Sequence, residues 1–234
     1  MNITSDQVRW VLMRVLVLVV SVALHEFGHA FVANALGDDT PKREGRVTLN
    51  PIAHADPIGT LLLPLMGGLY SAAGGGIGGF GWGKPVSWNP ARINRKWKMS
   101  TAKILVSIAG PAMNLLLGTV IMAVLAVLAG THVIVLKPGL QLVQQPLSFQ
   151  VLYFAGVTNF ILFFFNLIPA PPLDGGHVAG ELMPYKQRAA YDSYAKFGPF
   201  VVMAVAMIPQ ISRIFTIPAQ FCAEHVYKLV GHLF

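Results

Sequence analysis

Charged side chains are what this sequence has least of. Asp, Glu, Lys and Arg make up 12% of its 234 residues, and hydrophobic residues make up 54%. An ordinary soluble domain is about 25% charged. So few charges cannot clothe a soluble surface of this size, and the chain reads as an integral membrane protein in a lipid bilayer. Its length predicts one membrane-embedded domain over 1–234, built as a small bundle of spans. Cysteine is nearly absent too. Cys222 stands alone, which excludes an internal disulfide and any zinc site of thiolate type. The glycine-rich stretch before Trp82 lacks the G-x-x-x-x-G-K-[ST] pattern, so a phosphate cradle is unsupported. The first apolar run is too long for a cleavable leader and is expected to be retained. The net charge of +7 does not call for nucleic acid as a partner. The basic residues gather between apolar runs, as expected for the cytoplasmic loops of a multi-pass protein of the cell membrane.

The most informative stretch is 15–36, VLVLVVSVALHEFGHAFVANAL, where the polar letters fall together as His25-Glu26-Phe27-Gly28-His29. In an α-helix, residues i and i+4 share a face, so His25 and His29 can present two imidazole nitrogens to one metal ion. Glu26 is rotated by about 100° from His25. It can reach a water beside that metal without being a ligand. This is the H-E-x-x-H arrangement of zinc hydrolases, in which the glutamate takes a proton from the water. A charge in the middle of a spanning run costs about 2.5–3.5 kcal/mol on insertion scales. The bland alternative, a soluble core helix with locally satisfied histidines, conflicts with the membrane character of the rest of the chain.

The first span is predicted over 8–36, ending at Gly37. Residues 38–56 carry Lys42, Arg43 and Arg46 and read as a cytoplasmic loop, with a short strand at 46–50. His54 in that loop is either site-facing or ordinary. Residues 57–82 are apolar but broken by prolines and glycines, which predicts a re-entrant helix at 58–69 and a glycine-rich return. Residues 80–88 are expected as a strand that Pro85 confines to a sheet edge. The basic loop 89–103 leads into a second span over 101–130, in which Gly110-Pro111-Ala112-Met113-Asn114 is read as a kink with small residues for close packing. Residues 131–150 hold only Lys137 and read as the outer loop. A third span over 152–168 ends in Asn166-Leu-Ile-Pro-Ala-Pro-Pro-Leu-Asp174-Gly-Gly-His177. Its prolines unwind the chain just before a carboxylate. Another cytoplasmic stretch follows at 185–196, then a last span over 197–217 and a short amphipathic tail from Pro218.

Two ligands on one helix need a third. The downstream glutamates, Glu44, Glu181 and Glu224, sit on no convincing ligand helix, which leaves Asp174 as the best candidate. Together, HEFGH at 25–29, GPAMN at 110–114 and NLIPAPPLDGG at 166–176 resemble the site-2 protease family of intramembrane metalloproteases, in its short prokaryotic form. The resemblance implies an all-α polytopic membrane fold. Its core has three catalytic helices, a re-entrant segment, short edge strands and extra C-terminal helices. It also implies one zinc ion per chain held by His25, His29 and Asp174. Glu26 would be the general base and acid, and Asn166 would hold the substrate or stabilise the oxyanion. The edge strand near 80–88 would pair with an unwound segment of a transmembrane protein or peptide substrate. The active site would face the cytoplasmic side. A non-catalytic membrane zinc-binding protein or a metal transporter would keep the three ligands without needing Glu26.

Overall fold

The computed structural model describes residues 4–73, 81–137 and 141–233. Helix α1 (Ser5–Ala35) begins at a capping box, in which Thr4 and Gln7 each satisfy the other's backbone N–H. It stops at Gly37, whose φ of +113° suits a residue without Cβ. A short α2 (Thr40–Arg43) follows. The segment expected to be re-entrant is a π-helical turn, Pro57–Leu62, running into α3 (Leu63–Ala72). The glycine-rich return expected after it falls largely on 74–80, outside the described residues. Then come α4 (Met99–Gly130), α5 (Leu147–Asn166), α6 (Asp174–Leu182), α7 (Arg188–Ala195), α8 (Gly198–Met207) and α9 (Pro209–Gly231).

Helices α1, α4 and α5 are long and apolar enough to cross a membrane. Their outward faces carry exposed Leu12, Leu16, Leu116 and Val120, as lipid contact requires. Lipid is as apolar as leucine, so these helices associate through close packing rather than through hydrophobic burial. Gly28 is the sharpest case. A Cβ there would lie 2.6 Å from the Ala109 carbonyl oxygen, so α1 meets the backbone of α4 with nothing between. Helix α4 is the centre of the bundle, touching α1, α5, α6 and α9. Near one end Ala33 and Leu36 pack on Ala102 and Val106; towards the other Met122 and Leu125 pack on Phe160, Ala219 and Ala223.

Two expectations need correction. The last span is not a single helix over 197–217: α8 and α9 meet at 77°. Ile208, which precedes Pro209, is extended, as steric conflict with the proline ring demands. Helix α9 then runs through Pro218 and lies antiparallel to α5, with Phe215 meeting Phe165 edge to face and Tyr227 meeting Phe149 the same way. The segment from Pro218 is therefore the continuation of a long helix and not a separate tail. Helix α8 instead braces the loop before Asp174, packing Val202 against Ala170 and Leu173. The second correction concerns the strands. Among the described residues there is none, at 46–50 or at 81–88. A strand needs a ladder partner, and part of the backbone of 81–89 is bonded to side chains and loops instead.

Candidate metal centre

Helix α1 presents His25 and His29 one turn apart, and the start of α6 brings Asp174 to them. His25 Nε2 lies 3.1 Å from Asp174 Oδ2, His29 Nε2 lies 3.4 Å from Oδ1, and the two Nε2 atoms are 3.1 Å apart. One ligand atom from each residue falls within a 4.8 Å cluster. Asp174 arrives there because Leu167–Leu173 leaves helical geometry at the prolines and restarts as α6. Tyr194 donates to the Pro169 carbonyl (3.2 Å), Tyr191 donates to that of Gly176, and the Lys103–Glu181 ion pair (2.6 Å) ties α6 to α4. The carboxylate also sits at a helix N-terminus, which favours its charge.

The far side of each imidazole is fixed. His29 Nδ1 lies 2.7 Å from the Val106 carbonyl, which can only accept, so Nδ1 carries the proton. His25 Nδ1 lies 2.6 Å from Asn114 Oδ1. Both Nε2 atoms therefore hold lone pairs, aimed at each other and at a carboxylate whose buried Oδ2 has no hydrogen-bond donor among the described residues. Three converging lone-pair groups repel one another unless a cation lies between them. Their spacing matches the roughly 3.3 Å edge of a tetrahedron with Zn–N bonds of about 2.0–2.1 Å. The donor set thus fits a zinc ion. Gly110 of α4 faces both rings, and a Cβ there would run into His29 and His25. That glycine and Asn114 do more than the close packing expected of GPAMN.

Glu26 points the other way, towards the segment 81–89. Its Oε2 accepts from the Val86 N–H at 3.1 Å. This segment is an extended strap held by side chains and loops. Trp82 N–H donates to the Gly59 carbonyl (3.0 Å), the Thr60 hydroxyl to that of Trp82 (2.8 Å), and Lys84 N–H to that of His54 (3.0 Å). The buried Arg46 guanidinium donates to the Ala53, Lys84 and Pro85 carbonyls, and Asp38 accepts from the Asn89 N–H. Arg46 and Asp38 were not readable as site-building residues; their bonds run to distant backbone.

Between the strap and the three converging side chains lies a cavity of about 650 Å³. Asn166 and His177 line it as well. The Asn166 side chain folds back, one N–H donating to the Leu162 carbonyl at 2.9 Å, which leaves its second N–H. His54 does not line the cavity. It is buried in its loop with Nε2 donating to the Thr48 carbonyl (2.9 Å), and burial pushes its imidazole below the ordinary value.

Comparisons with known proteins show the family to which the chain belongs. The pattern of Peptidase family M50 matches residues 13–209. The chain is 33% identical over 222 residues to "Putative zinc metalloprotease YwhC" of Bacillus subtilis (strain 168), covering 94% of this chain and 91% of that one. It is 33% identical over 196 residues to "Putative zinc metalloprotease Rip2" of Mycolicibacterium smegmatis, covering 83% of this chain and 66% of the relative. For the protein of that name from Mycobacterium tuberculosis (strain H37Rv) the identity is 36% over 173 residues, 73% and 57% of the two chains. The chain thus spans less than two thirds of the Rip2 proteins. No solved structure gives a significant match.

Proposed function

The chain belongs to Peptidase family M50 and is by that membership a zinc metalloprotease, and we propose that it is an intramembrane endopeptidase that hydrolyses peptide bonds within or near transmembrane segments. The observation that carries the reading is the convergence of His25, His29 and Asp174 beside a glutamate that is not one of the three. His25, His29 and Asp174 would hold one zinc. Zinc bound there supplies Lewis acidity to a water and to the scissile carbonyl.

The remaining work falls to the chain's own side chains. Glu26 takes the proton of the attacking water and returns it to the leaving amine. The Val86 N–H holds one of its oxygens, so the other is presented to the cavity in one orientation. The second N–H of Asn166 donates to the carbonyl oxygen as negative charge builds there. The strap lines one wall of the cavity, and its spare backbone groups suit an extended substrate segment. A transmembrane substrate must unwind first, because helical carbonyls are already bonded. The loops bearing Lys42, Arg43, Arg46, Arg92 and Arg95 lie at the end of the bundle where the site sits. That end therefore faces the cytoplasm by the positive-inside bias.

The test is cleavage of a model transmembrane substrate by purified protein in detergent. Cleavage that a chelator abolishes and zinc restores is the expected result. Zinc-replete protein that leaves the substrate intact, while a soluble extended peptide is cut freely, would overturn the intramembrane reading.

A further inference from the structure

The polar network beneath His25 is larger than holding one ring requires. Ser21 of α1, Asn114 of α4 and Asn159 of α5 are each at most 2% exposed, and none lines the cavity. Asn114 Nδ2 donates to the Ser21 carbonyl (3.2 Å) and to Asn159 Oδ1 (2.9 Å). Asn159 Nδ2 donates to Ser21 Oγ and to the Ala155 carbonyl, each at 2.9 Å. Backbone carbonyls only accept, so they fix which end of each amide is nitrogen. Asn114 Oδ1 is then the atom that faces His25 Nδ1 at 2.6 Å. That sets the proton on Nδ1 and the lone pair on Nε2.

Turning the Asn114 amide over would reverse this. An N–H would face His25 Nδ1, the proton would move to Nε2, and a protonated Nε2 cannot bind a metal. Two contacts oppose the flip: the Ser21 carbonyl and Asn159 Oδ1. A buried asparagine inside an apolar span is also costly unless its partners use it. Resting on the metal-centre reading above, we propose that Asn159 is a positioning residue for the metal centre. It holds Asn114 in one amide orientation and so fixes the tautomer of His25.

Zinc alone is the probe, titrated against a competing chelator in detergent. Removing a partner one step behind a metal ligand typically costs 10–100-fold in affinity. Asn114→Leu should fall in that range, and Asn159→Leu by about tenfold. Asn159→Asp, which when neutral keeps the acceptor and one donor, should recover most of the loss. The second readout is the ¹⁵N spectrum of histidine-labelled, metal-free protein, with His25 identified by its absence in His25→Ala. Wild type should carry a proton on His25 Nδ1, and Asn159→Leu should lose it in part. Wild type without a proton on His25 Nδ1 would overturn the proposal even if the leucine variant failed to fold. So would Asn159→Leu with wild-type affinity and an unmoved tautomer. Wild type that binds zinc with His25 as expected, yet cleaves nothing, would instead sink the protease reading and leave this one standing.

Discussion

The two halves of the site are held by different means. On the metal side, the two imidazoles are positioned from within the helix bundle, His25 by the Asn114 side chain and His29 by the Val106 carbonyl. On the proton side, Glu26 is positioned by a backbone N–H of the strap, itself held by Arg46, Thr60 and Asp38. The difference follows from the solvent. Helices in a bilayer satisfy their own backbones, so side chains must supply most of the positioning bonds there. Among the described residues the strap has no ladder partner, so its N–H and C=O groups are available to hold and to be held.

Variants that strike one half and spare the other probe this contrast. The largest effect is expected from Asp174→Ala, which removes the proposed ligand brought by α6. Zinc content measured on purified protein should fall to near background together with cleavage; full zinc retention would mean that the third ligand lies elsewhere. Gly110→Ala comes next. Its methyl group would occupy the space of the two imidazoles, and zinc affinity should drop by about tenfold or more. Wild-type affinity there would show that the rings do not need that space.

Arg46→Met strikes the other half. It removes charged hydrogen bonds worth about 1.5–3 kcal/mol each, partly replaced by water. Cleavage should fall by roughly tenfold with zinc content unchanged, and a loss of zinc would erase the separation between the halves. The smallest effect is expected from His54→Gln. The His54 side chain bonds only within its loop among the described residues and does not line the cavity, so zinc content and cleavage should both stay near wild type. Loss of zinc in this variant would make His54 a ligand.

The metal half was the more legible in sequence, for a physical reason. His25 and His29 share a face because a helix repeats every 3.6 residues, and Asp174 follows prolines that end one helix before another starts. Those are local rules. Asn114 was read only as part of a close-packed kink, and Asn159 stands in an apolar span, where an asparagine signals that a partner exists without saying which. The strap read as an edge strand because its composition suits extended backbone, but strand pairing is a tertiary property. Hydropathy likewise drew the last span to 197–217. The small residues Ala219 and Ala223, one turn apart and fully buried on α9, marked the helix that packs along the bundle.

The central claim is that Glu26 serves proton transfer and has no part in holding the metal, and it is tested most directly by Glu26→Gln. Glutamine keeps the shape and an acceptor for the Val86 N–H but cannot take the proton. Zinc content and cleavage rate are measured side by side for wild type and variant in the same detergent. The account expects zinc near one per chain in both proteins and cleavage lower by at least about a hundredfold in the variant. Retained zinc with retained cleavage would remove Glu26 from the chemistry, and lost zinc would place it among the metal's supports.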